Sequence, residues 1–216
     1  MPVADKPELK TLFSVYQAIL NSGFEVKIYA TEGDSLVSRT RNSHISVFIN
    51  EYKDFDYFIS IDSDLEILNT NKEDNIFKKL ISHNEDFVGG LYALKNQEFN
   101  ASSSLSLQGE NKILYNIGLV EMQWLSSGCW CLKRSVIEKM INFYPELAYE
   151  GDGPMFGKTC YGLYMPMIKE IEMGRKKYLS EDWSFNERWK EIGGKIYADT
   201  SIKLRHIGKY SYELWN

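Results

Sequence analysis

Apolar residues recur at steps of three and four along residues 7–21, at Leu9, Leu12, Phe13, Tyr16, Ile19 and Leu20. That period predicts an amphipathic helix buried through these side chains, with Gly23 as its C-terminal stop. The pattern then changes. Residues 24–30 (FEVKIYA) alternate apolar and polar, as a strand with one buried face does. After a turn at Gly33, helical spacing returns through Leu36, Val37, Ile45, Phe48 and Ile49, and Arg39, Arg41 and Asn42 ride on the same helix. Tyr57–Ile61 is a nearly continuous aromatic and β-branched run, the signature of a strand buried on both faces.

Beyond that strand, residues 75–82 predict a short helix. Residues 86–92 (DFVGGLY) predict a strand whose Gly89 and Gly90 mark the close approach of a ligand or another backbone. Residues 97–110 are polar and Ser-rich, a loop or weak hairpin; 111–125 and 128–133 read as strands, the second leading into a helix over 135–142. Residues 143–177, rich in Tyr, Gly, Met and Pro, lose regular periodicity and read as a long functional loop. Ser180 then caps a helix that Gly193 or Gly194 ends, and the strands KIYAD and IKLRHIG follow. Residues 1–5 make at most a clipped first strand. The strand–helix–strand succession predicts an α/β fold with a mainly parallel central sheet flanked by helices, and no repeat or linker divides residues 1–216, so one domain is expected.

Composition narrows the function classes. Hydrophobic residues make up 44% of the 216 and charged residues 25%, enough for a sizeable core. A net charge of -5 without clustered Lys and Arg disfavours nucleic acid as a partner. No apolar run approaches the roughly 20 residues that span a bilayer, so no transmembrane segment is expected. The start MPVADKPELK lacks the apolar core of a signal peptide, which gives a cytoplasmic expectation. Cys129, Cys131 and Cys160 are an odd count without a second pair, and are read as reduced, buried thiols rather than disulfides or a zinc site. Aromatic residues reach 14%; they serve equally for stacking on sugars or bases and for filling a core.

The buried strand ends in Asp62, Ser63 and Asp64, two carboxylates at a strand's carboxyl end, where open α/β sheets bind ligands. Carboxylates so close repel unless a cation lies between them, and their hard oxygens suit Mg²⁺ or Mn²⁺ shared with substrate phosphates. An Asp-Ser-Asp turn capping the next segment is the bland alternative. Glu181 and Asp182 fall in the first turn of a helix, where the helix dipole alone explains acidic residues, but where a carboxylate is also well held to act as general base. His206, at the end of the last strand, is either structural or a ligand that completes a site begun by Asp62 and Asp64. Arg41 pairs with a phosphate or with Asp62, or is simply solvated.

Taken together and in order, these segments resemble glycosyltransferases of the GT-A fold. FISIDSDLEI is similar to their DXD strand, GDSLVSRTRN to the helix before it, FVGGLYALK and LSSGCWCLKRSVIEKM to acceptor-side segments, and YLSEDWSFNERWKEIGGKIYAD with LRHIG to their ED motif and terminal metal-binding His. The closest style is that of the small glycosyltransferase domains of large algal viruses, which for a viral protein implies the host cytoplasm. The resemblance implies a nucleotide-sugar-binding half over residues 1–100 and an acceptor-binding half over 101–216. It implies Mn²⁺ or Mg²⁺ at Asp62, Asp64 and His206, with Asp182 as base and Glu181 in support. Donor contacts fall on Pro2, Ala4, Asp34, Arg41, Asp62 and Ser63, and acceptor-side contacts on Gly89, Gly90, Lys95, Ser127, Gly128 and Trp183. The implied reaction is inverting transfer of a sugar from a nucleoside-diphosphate sugar, UDP expected, to a hydroxyl of a glycan or glycoprotein. Two other classes remain open: a haloacid-dehalogenase-like phosphatase, with the first Asp as nucleophile, and a non-catalytic nucleotide-sugar or glycan-binding module.

Overall fold

The computed structural model describes residues 2–3, 7–32, 34–95, 104–105, 118–172, 174–208 and 211–213. Its principal elements are helix α1 (Leu9–Ser22), helix α2 (Val37–Glu51), strands β1 (Tyr57–Ile61) and β2 (Leu65–Ile67), helix α3 (Ile76–Ser82), strands β3 (Phe87–Gly90), β4 (Leu119–Trp124) and β5 (Cys129–Lys133), and helix α4 (Arg134–Phe143). A hairpin of β6 (Met167–Glu172) and β7 (Arg175–Leu179), helix α5 (Glu181–Glu191), and strands β8 (Tyr197–Asp199) and β9 (Leu204–Ile207) follow.

The six-stranded central sheet runs β1–β5–β3–β8–β4, with Ser104–Leu105 at the far edge. Among its neighbours, β3 and β8 are parallel and every other described pair is antiparallel. The expectation of a mainly parallel sheet is therefore corrected to a mixed, mostly antiparallel one. Its cause is β5. The strand–helix–strand reading gave β1 and β3 the same direction, which they have, but β5 returns from later in the chain and inserts between them in the opposite sense. Because β1 and β5 pair along their lengths, residues from the 1–100 and 101–216 halves share one sheet.

Both faces of the sheet are covered. Along β5 the side chains alternate: Trp130 and Leu132 join Phe87, Tyr164 and Phe185 beneath α2, α4 and α5, while Cys129 and Cys131 join Ile61, Val88, Leu65 and Leu204 on the side of α1 and α3. Cover on two faces is why β1 reads as apolar without alternation. All three cysteines are buried free thiols, and burial pushes Cys129 up to about 12. A second, three-stranded sheet sets β9 between β2 and Ser211–Tyr212.

Several predicted elements differ. Helix α1 forms and stops at Gly23 in the left-handed conformation (φ 76°), but it presents the opposite face. Thr11, Ser14, Ala18 and Ser22 are buried, whereas Leu9, Phe13, Tyr16 and Leu20 are 59–69% exposed. The small residues admit close approach: Ser14 Oγ accepts from Ile67 N, and Asn75 Nδ2 donates to the Ala18 carbonyl. Residues 24–30 join no strand ladder among the described residues; only Thr31–Glu32 pairs, in parallel, with Pro2–Val3. The stretch 143–177 is not an irregular loop. It holds the β6–β7 hairpin and a smaller one of Ala148–Glu150 with Thr159–Tyr161. Much of the predicted 97–110 loop and the 111–117 part of the next predicted strand lie outside the described residues.

Candidate active site

The carboxyl end of β1 is fixed by the strand beside it: the Asp62 amide donates to the Gly128 carbonyl at 2.9 Å. From α2, Arg41 reaches across, and its Nη2 lies 2.9 and 3.1 Å from the two Asp62 carboxylate oxygens. Its Nε stands 3.6 Å from Glu181 Oε1. Burial would lower the guanidinium pKa, but the Asp62 carboxylate, with Glu181 and the nearby tyrosines, outweighs it and raises the value, so Arg41 stays charged. A buried cation of this kind persists because anions face it. Arg41 thus takes Asp62, one of the partners its sequence reading offered, as its ion-pair partner.

Asp64 is positioned by the second sheet. Leu65 stands opposite His206 in the β2–β9 ladder, and the Ile207 amide donates to the Asp64 carbonyl at 2.8 Å. His206 Nε2 thereby comes within 3.5 Å of Asp64 Oδ2. The other ring nitrogen, Nδ1, donates to the Ala93 carbonyl at 2.8 Å, which turns the Nε2 edge of the ring toward the carboxylate. A bond from the far ring nitrogen to a carbonyl is the arrangement by which metal-binding imidazoles are oriented. Lys95 Nζ lies 2.6 Å from the same Asp64 oxygen. Burial would raise Asp64, but His206 and Lys95 outweigh it and hold the carboxyl down to about 2.

Glu181 and Asp182 open α5. Ser180 occupies the cap position without capping a backbone amide; its hydroxyl donates instead to Asp182 Oδ1, which also accepts from the Trp183 amide at 2.8 Å. Asp182 Oδ2 has no hydrogen bond from the described residues. Burial and then the Asp182 charge raise Glu181, against the opposing pull of Arg41. Asn186 clamps this turn to the end of β4: its Oδ1 accepts from Leu125 N at 2.7 Å and its Nδ2 donates to the Leu125 and Asp182 carbonyls. Trp183 stacks on Trp124, centroids 4.5 Å apart, beneath the Lys177 ammonium.

Two tyrosines that the sequence reading did not single out join these groups. Tyr92 packs edge-on against His206, accepts the Gly128 amide on its hydroxyl at 3.1 Å, and feels the charges of Asp62, Arg41 and Asp182. Tyr164, fully buried, has a hydroxyl without a hydrogen-bond partner among the described residues, beside Arg41, Asp182, Glu181 and Asp62. Its backbone is tied to α2 through Asn42, next to Arg41. The sequence signal was faint: Tyr92 follows the Gly-Gly strand and Tyr164 lies in the stretch read as loop.

The remaining predicted residues divide. Ser63 sits in the turn between the aspartates, and its carbonyl accepts the Glu8 amide at 3.0 Å. Asp34 is spent on Arg39, at 2.9 Å, and on the Leu36 amide at the start of α2. Pro2 belongs to the short parallel pair with Thr31, and Ala4 lies outside the described residues. Gly89 and Gly90 are buried in β3. A Cβ on Gly89 would come 2.2 Å from the Cys129 carbonyl oxygen, so these glycines admit a neighbouring strand rather than an acceptor. A Cβ on Gly128 would strike the Tyr92 ring at 2.6 Å. Ser127 is 2% exposed, and Lys95 contacts Asp64. A cavity of about 520 Å³ between α1, residues 24–29 and β1 is lined mainly by apolar side chains, together with Glu25, Lys27, Asp54 and Asp56, and includes none of the site carboxylates.

Asp64 and His206 fit a divalent cation as a pair of hard oxygen and imidazole donors. Among the described residues no group of three or more His, Cys, Asp or Glu could hold an ion. An ion here would therefore draw most of its ligands from substrate phosphates and water, as Mg²⁺ does in nucleotide sites. No helix of the described residues is long and apolar enough to cross a membrane.

No family model and no curated protein matches the sequence. Among solved structures, the crystal structure of A197 from STIV superimposes with a TM-score of 0.59 and 18% identity, over 99% of this chain and 88% of that one. At that identity the likeness is one of fold.

Proposed function

We propose that the chain is a glycosyltransferase of the GT-A type, moving a sugar from a nucleoside-diphosphate sugar to a hydroxyl of a glycan or glycoprotein with Mn²⁺ or Mg²⁺ as cofactor. The observation that carries it is the meeting of Asp64 with His206, whose Nε2 faces the carboxylate at 3.5 Å. Asp62 and Arg41 border the same strand end, and Arg41 also approaches the Glu181 carboxylate that precedes Asp182.

Asp64 and His206 would hold the ion, which when bound offsets the charge of a departing diphosphate. The chain's own residues do the rest. Arg41 fixes the Asp62 carboxylate at the strand end, where Asp62 would help hold the ribose and the ion. Asp182 takes the proton of the attacking hydroxyl through Oδ2, since Oδ1 is held by Ser180 and Trp183. Attack on the face opposite the leaving group inverts the anomeric carbon. Glu181, beside Arg41, supports the acceptor or orients the base. Trp183, beside the base, offers an aromatic face to an acceptor sugar. UDP is the expected nucleotide, with Ser63 and the Pro2 strand at its pocket.

The phosphatase alternative needs its first Asp free as a nucleophile, and the bond from Arg41 to Asp62 speaks against it. Release of UDP from a panel of UDP-sugars with glycan acceptors and Mn²⁺ tests the proposal: Asp64→Ala and Asp182→Asn should each reduce turnover at least 100-fold, of the order that loss of a general base costs. Undiminished transfer in both variants would end this reading.

A further inference from the structure

Lys95 has no part in the chemistry above, yet its Nζ stands 2.6 Å from Asp64 Oδ2, the oxygen that His206 Nε2 faces at 3.5 Å. Each aspartate at the strand end is thus matched by a basic side chain, Asp62 by Arg41 and Asp64 by Lys95. The two pairs differ in freedom. Arg41 is 6% exposed and fixed from several sides by Ser60, Asp62 and Glu181. Lys95 is 37% exposed on an unbranched, flexible stem. It lies two residues past Ala93, whose carbonyl orients His206, so one short segment both aims the imidazole and supplies the ammonium.

We infer that Lys95 is an internal counter-ion that holds Asp64 in the donor-free protein and competes with the divalent cation for it. The inference rests on the glycosyltransferase reading. An ion shared by Asp64 and His206 would meet an ammonium already in contact with the same oxygen, and like charges at that range repel strongly in a half-buried site. The ion therefore binds by displacing Lys95. A nucleoside diphosphate alters the balance, because its anionic oxygens offer the ammonium another partner within reach of the stem and so release Asp64. Ion and nucleotide then bind with positive coupling, each raising the affinity for the other by the same factor.

Calorimetric titration of Mn²⁺ into wild type, Lys95→Met and Lys95→Arg, each with and without UDP, tests this. The expected result is at least 10-fold tighter Mn²⁺ binding by Lys95→Met without UDP, near-wild-type binding by Lys95→Arg, and a smaller effect of UDP on Mn²⁺ affinity in Lys95→Met than in wild type. Lys95→Gln, with the same melting temperature as wild type, guards against a folding defect. Wild type that binds Mn²⁺ with an affinity unchanged or weakened in Lys95→Met and Lys95→Gln would overturn the role of Lys95 and leave the metal site standing. No Mn²⁺ binding by any of the proteins, even with UDP, would overturn both.

Discussion

His206 Nε2 lies 3.5 Å from Asp64 Oδ2, although 142 positions separate the two residues in the chain. The contact is built by backbone: Leu65 pairs with His206 across the β2–β9 ladder, and the Ala93 carbonyl holds the far side of the ring. The imidazole is thus aimed before any ligand arrives. Replacing His206 by Ala should leave the fold intact and weaken Mn²⁺ binding at least 10-fold by calorimetry, while His206→Asn should retain the bond to Ala93 without restoring the affinity.

Arg41 and Asp62 make a buried pair in which one partner is nearly inaccessible. Arg41→Met leaves Asp62 and Glu181 facing each other without their cation, and about 3 kcal/mol of stability should be lost, by analogy with other broken buried pairs. Urea denaturation measures it. The double variant Arg41→Met with Asp62→Asn should recover part of that loss.

Asp199 gives a pH prediction away from the site. It is 2% exposed, and although burial would raise its carboxyl, hydrogen bonds from His83 and Ser201 outweigh burial and lower it. A carboxyl whose folded pKa is depressed contributes stability above its unfolded value of about 3.9 and loses it as pH falls through the lower folded value. Wild type should therefore melt above Asp199→Asn at neutral pH, with the difference shrinking progressively below about pH 4. A difference that persisted undiminished at pH 2 would contradict it.

Helix α1 separates the sequence pattern from the packing most sharply. Phe13, 69% exposed, should tolerate Ser with a change within about 0.5 kcal/mol, whereas Ala18→Leu, at a fully buried position, should cost about 1–3 kcal/mol through overpacking. Chemical denaturation of the two variants decides which face is inside.

That helix also shows where reading the chain succeeds and where it stops. Periodicity locates α1 and its Gly23 stop, because both are local. It misassigns the face, because Ser14 and Ala18 are buried by β2 and α3, which lie far along the chain. The strand ending at Asp62 was legible from its two-sided apolar run, and α5 from Ser180 and Gly193. Asp64 and His206 were legible as residue types; their meeting depends on the β2–β9 register, which no local pattern encodes. Asp62 was one of the partners the sequence offered Arg41, and side-chain geometry selects it; Lys95 as the partner of Asp64, and the presence of Tyr92 and Tyr164, came only from that geometry. The sheet's sense was misjudged for a similar reason, since the entry of β5 between β1 and β3 is a non-local event.

The position of β5 also dictates an order of assembly. Until Cys129–Lys133 has been synthesised, β1 and β3 have no common neighbour to bond. The aspartates at the end of β1 therefore reach their final setting late, when a strand made some seventy residues afterwards slides between two earlier ones. Such long-range closure is slow compared with helix formation. A nascent chain halted before residue 128 carries the acidic pair but not the scaffold that gives it an address.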